Sequence, residues 1–146
     1  MTEFELQPPP PADAPGRPVP APRCPRPTVL VCEDEPSIRE LVRVSLEDAS
    51  YTFLEAVDGD EALALLRERG ADVLILDLML PRRSGFDVLE ELRRELSDDA
   101  PAVIVLTAQP DYAARARELG ADRVISKPFL PNELATVVRT VLGGGG

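Results

Sequence analysis

The stretch DVLILD at residues 72–77 decides the fold, because it is apolar throughout between its two aspartates and rich in Leu, Ile and Val. Two further runs have the same character: TVLVC at residues 28–32 and AVIVLT at residues 102–107. None of the three alternates apolar with polar residues, so both faces of each predicted strand are expected to be buried. Strands of this kind are typical of a parallel sheet that is covered by helices on both sides.

Helical patterns separate these runs. Pro36 suits the first turn of a helix, and apolar residues then repeat at helical spacing through Leu46. Weaker strands are predicted at residues 51–56 and 122–126, and further helices at 59–69, 85–96, 110–119 and from Leu134 to Leu142. The order of strand then helix, repeated five times, predicts an α/β doubly wound fold with a five-stranded parallel sheet and helices on both faces.

The two ends of the chain differ in composition from this central region. Ten of the 16 prolines lie between positions 8 and 27, a density that disfavours helices and sheet ladders. We therefore predict a disordered proline-rich leader at residues 1–27, one globular domain at residues 28–142 and a flexible glycine tail at residues 143–146.

The charge of the chain bears on its partners. The formal net charge is −10, and because three acidic residues offset three arginines in residues 1–27, the whole excess lies in the predicted domain. Such a domain is expected to repel nucleic acid, whose binding usually needs clustered Lys and Arg. No apolar run is long enough to span a membrane, and the acidic, proline-rich start fits no targeting signal, so we expect a cytoplasmic protein.

Histidine is absent from the chain, and Lys127 is its only lysine. The lack of histidine excludes Ser-His and Cys-His nucleophile pairs and histidine metal sites. Cys32 lies within an apolar run and is predicted to be a buried small hydrophobe. The chemistry must therefore rest on carboxylates, hydroxyls and one ammonium, a compact point charge that a planar guanidinium does not replace.

Polar side chains follow the predicted strands where each strand ends. These are Glu33 and Asp34 after the first strand, Asp77 at the end of the third, Thr107 and Ala108 at the fourth, and Lys127 and Pro128 at the fifth. Because the carboxyl ends of parallel strands meet at one edge of a sheet, we expect these groups to lie close together.

Three carboxylates at one edge would repel one another, and a single lysine cannot balance them. A hard divalent cation with oxygen ligands can, and Mg²⁺ suits a small site of this kind. A carboxylate can attack phosphorus to form an acyl phosphate, whose oxygens then need a cation, an ammonium and a hydroxyl or amide donor. Asp77, Lys127 and Thr107 supply the protein's share of that set.

Four motifs in this order resemble the receiver domain of two-component response regulators, a chemotaxis-regulator-like module. They are EDE at residues 33–35, LDLMLP at 76–81 with Gly85 downstream, LTA at 106–108 and KPF at 127–129. The resemblance covers residues 28–142 and implies a flavodoxin-like receiver fold. It also implies a signalling domain that catalyses only its own phosphorylation and dephosphorylation.

The resemblance assigns a role to each residue of the predicted edge. Asp77 would be the phosphoacceptor, and Lys127 would pair with carboxylate and phosphoryl oxygens. Mg²⁺ would bind Asp34 and Asp77, with Glu33 assisting directly or through water and the main-chain carbonyl of Met79 completing the protein ligands. Thr107 would turn toward the phosphoryl group, small Ala108 would leave room for it and offer its amide, and Lys127–Pro128 would be a cis peptide.

One position near the predicted site differs from the family pattern, and two others carry loop charge. Many receivers have an aromatic residue at position 124 that swings inward when the threonine moves; Val124 cannot make that swing, so a switch based on Thr107, Val124 and Pro128 would be read out differently. Arg82 and Arg83, ahead of the third predicted helix, are interpreted as solvated loop charge.

Two other functions remain open at this point. A phosphohydrolase with an aspartate nucleophile would have a second aspartate two residues after the first, where this chain has Met79. A degenerate receiver used only as a binding scaffold would lack the acceptor, the metal acid or the lysine, and all three are present.

The resemblance also implies the partners. A sensor histidine kinase or a histidine phosphotransfer protein would supply the phosphoryl group, and the output would pass through protein contacts with a target that the sequence does not name. The fourth helix, fifth strand and fifth helix form the family's signalling face, which here carries charges of both signs and could support a weak homodimer through ion pairs. These charges are Arg115, Arg117, Arg123, Arg139, Asp122 and Glu133.

Overall fold

A computed structural model of the chain describes residues 26–47, 50–96 and 100–143. The predictions for the leader at 1–27 and the tail at 143–146 fall almost wholly outside these ranges. Among the described helices, none is long and apolar enough to cross a membrane.

Five strands alternate with five helices, as the apolar runs predicted. The strands are β1 (Thr28–Cys32), β2 (Thr52–Ala56), β3 (Val73–Asp77), β4 (Ala102–Thr107) and β5 (Arg123–Ser126). The helices are α1 (Pro36–Ser45), α2 (Gly59–Glu68), α3 (Gly85–Glu95), α4 (Ala113–Glu118) and α5 (Pro131–Gly143).

All strand pairs are parallel, and the sheet order is β2-β1-β3-β4-β5. In the register of the central strands, Cys32 lies opposite Leu76 and Asp77 lies opposite Leu106. The ends of β1, β3 and β4 are therefore level, and the residues that follow these strands emerge at one edge.

The packing of β3 explains why its sequence does not alternate between apolar and polar residues. Leu74 and Leu76 belong to the core cluster that α2, α3 and α4 cover, whereas Val73 and Ile75 belong to the cluster under α1 and α5. Since all five residues of the strand are buried, both faces must be apolar.

Three strands begin one residue later than predicted, and in two of them an aspartate precedes the strand. The carboxylate of Asp72 accepts a hydrogen bond from the Thr28 amide at 2.8 Å, and that of Asp122 accepts one from the Val103 amide at 2.8 Å. These side chains bind backbone N–H groups at the amino edge of the sheet. The predicted helix at 110–119 is also divided, because a 3₁₀ turn at Pro110–Tyr112 precedes α4.

Candidate functional site

Asp77 ends β3 at the carboxyl edge of the sheet, and its side chain is buried. One of its carboxylate oxygens, Oδ1, lies 3.3 Å from the Nζ of Lys127 and accepts a hydrogen bond from the Met79 amide at 3.2 Å. Among the described residues, no donor engages Oδ2. One oxygen of the buried carboxylate is thus held in place, while the other has no partner in the described part of the chain.

Glu33 follows β1 and is buried beside Asp77. Its Oε1 accepts a hydrogen bond from the Nζ of Lys127 at 3.1 Å, and its Oε2 accepts one from the Glu35 amide at 3.2 Å. The Arg39 guanidinium on α1 donates to the main-chain carbonyl of Glu33 at 2.8 Å. Side chain and backbone of Glu33 are therefore both fixed.

The charge balance of this cluster shifts two pKa values. Burial raises the pKa of Glu33 to about 7, and the nearby Asp77 charge adds to the effect, although the hydrogen bond from Lys127 opposes it. Burial lowers the pKa of Lys127, but its contacts with Glu33 and Asp77 outweigh that cost and hold the pKa above its ordinary value. Lys127 therefore stays charged, and it does not fully compensate the carboxylates around it.

Glu33, Asp34 and Asp77 each offer a carboxylate oxygen, and these oxygens lie within 4.8 Å of one another. Glu33 and Asp77 are buried, whereas Asp34 is exposed and faces the solvent side of the group. An all-oxygen, negatively charged set that is open to water on one side suits a hard divalent cation. The pKa of Glu33 is raised by burial and by the Asp77 charge, and a bound cation would offset that repulsion. The residues present therefore fit Mg²⁺.

Thr107 ends β4 with its side chain buried. Its hydroxyl accepts a hydrogen bond from the Gln109 amide at 3.0 Å and lies 3.4 Å from the Gln109 carbonyl oxygen. Its main-chain carbonyl accepts a hydrogen bond from the Lys127 amide at 2.9 Å, which joins the ends of β4 and β5. In this arrangement the Thr107 hydroxyl is bound to its own loop.

The remaining predicted residues lie around this centre. Ala108 is exposed directly after β4, the side chain of Met79 is exposed in the loop after β3, and Val124 is half-buried on β5 among residues of the α2, α3 and α4 cluster. The peptide bond between Lys127 and Pro128 is cis, as predicted. Cys32 is buried, as predicted.

Glu35 serves the start of α1 through its backbone. The main-chain carbonyl of Glu35 accepts hydrogen bonds from the amides of Ile38 and Arg39, both at 3.1 Å. Its side chain makes no capping hydrogen bond to the helix backbone. The Glu35 side chain is not part of the carboxylate group of Glu33, Asp34 and Asp77, and Glu35 contacts that group through its amide, which donates to Glu33.

Arg82 and Arg83 are solvent-exposed loop charges, as interpreted, but each is also paired with an aspartate, which the sequence did not indicate. Arg82 donates to Asp58 at 2.7 Å, and Arg83 donates to Asp60 at 2.8 Å. Asp58 is a buried charge beside the site that sequence reasoning missed. The signal for it was present, since Asp58 and Glu61 have the spacing of a helix-capping pair before an apolar run, and Asp58 caps α2.

Comparisons with known proteins identify the family. The model of the response regulator receiver domain matches residues 29–139. The chain belongs to this family. Receiver domains are the phosphoacceptor modules of two-component signalling, so a phosphoacceptor function follows for this chain.

Curated relatives and solved structures agree with this assignment. The phosphate regulon transcriptional regulatory protein PhoB of Pseudomonas aeruginosa is 42% identical over 118 residues, which are 79% of this chain and 51% of the relative. The probable transcriptional regulator ycf27 of Porphyridium aerugineum is 42% identical over 116 residues, 78% of this chain and 47% of the relative. The chain thus spans about half the length of these relatives.

Two solved structures illustrate the shared fold. The receiver domain of the Francisella response regulator 1452 superposes with a TM-score of 0.75 at 28% identity, covering 83% of this chain and 100% of that one. The chemotaxis response regulator CheY4 of Vibrio cholerae gives a TM-score of 0.74 at 31% identity, covering 81% of this chain and 100% of that one. The predicted flavodoxin-like receiver fold is confirmed.

Proposed function

We propose that Asp77 is the phosphoacceptor of this receiver domain. The observation that carries the proposal is the convergence of its buried carboxylate with the only lysine of the chain, at 3.3 Å, and with two further carboxylates. A buried acidic cluster of this composition serves no packing purpose, because unpaired buried charge destabilises a fold. Its composition is the one that phosphoryl transfer to a carboxylate requires.

In the proposed reaction, Asp77 attacks the phosphorus of a phosphohistidine through Oδ2, the oxygen without a partner among the described residues. An oxygen–phosphorus bond forms as the phosphorus–nitrogen bond of the donor breaks, and the imidazole nitrogen keeps the electron pair. Lys127 holds Oδ1 and neutralises charge on the phosphoryl oxygens. The Ala108 amide and the Thr107 hydroxyl donate to those oxygens.

Mg²⁺ is the proposed cofactor, held by Asp34, Asp77, Glu33 and the main-chain carbonyl of Met79. When bound, the cation offsets the negative charge that gathers where carboxylates meet a phosphoryl group. The Met79 amide already contacts Asp77, which supports a role for this stretch of backbone at the site. The proposed domain extends over residues 28–142, between a leader at 1–27 and a glycine tail at 143–146.

We propose a sensor histidine kinase or a histidine phosphotransfer protein as the phosphoryl donor, and a cytoplasmic setting, since such kinases draw the phosphoryl group from ATP. The chain would catalyse only its own phosphorylation and dephosphorylation. Met79 supports this restriction, because aspartate phosphohydrolases use a second aspartate at that position. The net charge of −10 supports an output through protein contacts and not through direct binding to nucleic acid.

The proposed switch begins at Thr107. Phosphorylation would draw its hydroxyl away from Gln109 and toward the phosphoryl group, and the loop between β4 and α4 would move with it. Tyr112 lies in this loop, where its amide donates to the Gln109 carbonyl at 3.1 Å and its ring packs edge-on against Phe86 of α3. Since Val124 cannot swing as an aromatic residue does, the movement would be read out in this loop, with the Lys127–Pro128 peptide fixing the end of β5.

A weak homodimer through α4, β5 and α5 is also proposed, although most of its charged groups also make contacts within the chain. The Arg115 guanidinium lies 5.4 Å from the centre of the Phe86 ring and 4.0 Å from the Glu90 carboxylate. The Asp122 carboxylate binds the Val103 amide. The arginines at positions 117, 123 and 139 would carry most of the contacts, and such exposed pairs contribute little affinity.

Incubation with acetyl phosphate and Mg²⁺, followed by intact mass measurement, tests the proposed function. The wild-type chain is expected to gain one phosphoryl group, and Asp77→Asn or a sample with EDTA is expected to gain none. A folded wild-type chain that stays unmodified, with acetyl phosphate and with a histidine phosphodonor alike, would favour the scaffold function.

A further inference from the structure

Two arginine–aspartate pairs connect the loop after β3 to the amino end of α2. We call residues 78–84 the acceptor loop, because it follows Asp77 directly. Arg82 donates to Oδ2 of Asp58 at 2.7 Å, and Arg83 donates to Oδ1 of Asp60 at 2.8 Å. The two pairs join the same two elements, but they differ in the burial of the aspartate.

The Asp58 carboxylate is buried, with only 6% of its side chain exposed, whereas 56% of the Asp60 side chain is exposed. Both carboxylate oxygens of Asp58 accept hydrogen bonds. Oδ1 accepts one from the Glu61 amide at 2.8 Å, and Oδ2 accepts one from the Arg82 guanidinium. These hydrogen bonds hold the pKa of Asp58 below its ordinary value. Breaking an ion pair destabilises a protein more when the carboxylate is buried than when it is exposed. Only the Asp58 pair is therefore expected to constrain the loop firmly.

The backbone of Arg82 has a φ of 67°, and it is the only described residue other than glycine with a positive φ. A non-glycine residue in this region is strained and persists only where its surroundings hold it there. The ion pair with Asp58 is the side-chain contact that holds it. The ion pair acts together with a hydrogen bond from the Arg83 amide to the Pro81 carbonyl at 2.6 Å, which closes a turn around Arg82, so loss of the ion pair would leave the acceptor loop held by that turn alone.

Asp58 is itself anchored beneath the carboxylate cluster. Its main-chain carbonyl accepts a hydrogen bond from the thiol of Cys32 at 3.4 Å, and Cys32 is the residue before Glu33. At the other end of the loop, Gly85 donates its amide to the Leu78 carbonyl at 2.9 Å. The stretch with Met79 therefore runs between fixed points at Asp77 and Gly85, and Arg82 pairs with Asp58, whose backbone contacts the last residue of β1.

We infer that Asp58 and Arg82 are positioning residues, whose ion pair fixes the acceptor loop so that the Met79 backbone is placed for Mg²⁺ binding at Asp77. This inference rests on the proposed function. Neither residue belongs to the carboxylate group of Glu33, Asp34 and Asp77, so the effect passes through the backbone of the loop. The pair between Arg83 and Asp60, exposed on both sides, serves as an internal control.

The test measures the dissociation constant of Mg²⁺ by NMR titration of the full chain, following the amides of Asp34 and Lys127, which lie outside the loop. Arg82→Gln removes the cation, and Asp58→Asn removes the charge while keeping an oxygen to cap α2. Both are expected to weaken Mg²⁺ binding about 10-fold, as the loss of residues that support metal ligands commonly does. Arg83→Gln and Asp60→Asn are expected to stay within about twofold of wild type.

Arg82→Gly separates positioning from folding. Glycine tolerates a positive φ, so this variant loses the ion pair without retaining the strain. We expect it to melt at a temperature close to that of the wild type or above it, and still to bind Mg²⁺ as weakly as Arg82→Gln.

The outcomes distinguish failure of the proposed function from failure of the positioning role of Asp58 and Arg82. A wild-type chain that binds no Mg²⁺ would overturn the proposed function and this inference with it. Wild-type binding that Arg82→Gln and Arg82→Gly leave unchanged would overturn the inference alone. Equal weakening by the Arg82 and Arg83 variants would also overturn it, because the pair with the exposed carboxylate would then matter as much as the pair with the buried one.

Discussion

The ammonium of Lys127 lies 3.1 Å from Oε1 of Glu33, a residue 94 positions earlier in the chain. Glu33 follows β1 and Lys127 follows β5, so the contact spans the carboxyl edge of the sheet across the ends of β3 and β4, which lie between them. The same ammonium reaches Asp77 at 3.3 Å. One cation thus links the two buried carboxylates of the cluster, and its replacement should affect both.

Lys127→Arg is predicted to abolish most phosphorylation although the charge is kept. A planar guanidinium needs a fork of acceptors, and it is too large for the space in which Nζ contacts Glu33 and Asp77. Loss of one preorganised donor to a developing negative charge costs about 100-fold in rate, and the rate of mass gain with acetyl phosphate measures it. A rate within a few fold of wild type would show that position 127 needs only positive charge.

The raised pKa of Glu33 predicts a dependence of stability on pH. In the folded chain Glu33 titrates at about 7, and in the unfolded chain at its ordinary 4.5. Below pH 4.5 Glu33 is mostly protonated in the folded and in the unfolded chain. Between pH 4.5 and 7 the unfolded chain loses this proton first, so the stability of the metal-free chain falls as pH rises toward 7. Relative to Glu33→Gln, the free energy of unfolding of the wild type should fall by about 2–3 kcal/mol across this pH window.

Urea denaturation in EDTA at pH 4.5 and pH 8, for wild type and Glu33→Gln, checks this prediction. Mg²⁺ favours the ionised carboxylate, so it should stabilise the wild type more at pH 8 than at pH 6. A stability difference between the two chains that does not vary with pH would mean that Glu33 has an ordinary pKa in the fold.

Gly85 is predicted to tolerate no side chain. A Cβ at this position would lie 2.6 Å from the main-chain oxygen of Asp77 and 2.7 Å from the Cα of Leu78, so the backbone that carries the acceptor would have to move. Gly85→Ala should lower the free energy of unfolding by about 1–3 kcal/mol, measured by urea denaturation. In the control Gly143→Ala, where a Cβ meets nothing within 4 Å, the change should stay within about 0.5 kcal/mol.

Thr107→Val is predicted to separate phosphorylation from the switch. The variant keeps the shape of the side chain but removes the hydroxyl that binds the Gln109 amide, at a cost of about 1 kcal/mol in stability. We expect it to be phosphorylated still, yet to lose the changes that beryllofluoride, a phosphoryl mimic, produces in the NMR signals of Gln109 and Tyr112. Thr107→Ser should retain them. Equal changes in wild type and Thr107→Val would assign the switch to another residue.

The sheet and the central site were predictable because they depend on rules of topology. The uninterrupted apolar run of β3 required burial on both faces, and parallel strands with level ends brought Asp77 and Lys127 to one edge. The predicted bounds were inexact where a side chain replaces a sheet hydrogen bond, as Asp72 and Asp122 do.

The pairing of Arg82 with Asp58 was not predictable, because it depends on the path of a loop. Arg82 has a positive φ where it pairs with Asp58, and no residue type in the loop signals that angle, which glycine would have done. The hydroxyl of Thr107 posed the same difficulty. Its residue type and position indicated a phosphoryl ligand, whereas its bond to Gln109 follows from the local turn after β4.

The most direct test of the central claim locates the phosphoryl group on the chain. After incubation with acetyl phosphate and Mg²⁺, reduction with borohydride converts a phosphorylated aspartate to homoserine, which peptide mass spectrometry can place. The account predicts homoserine at position 77 and nowhere else, and none when Mg²⁺ is removed. Homoserine at Asp34 instead, or a phosphoryl group retained by Asp77→Asn, would contradict it.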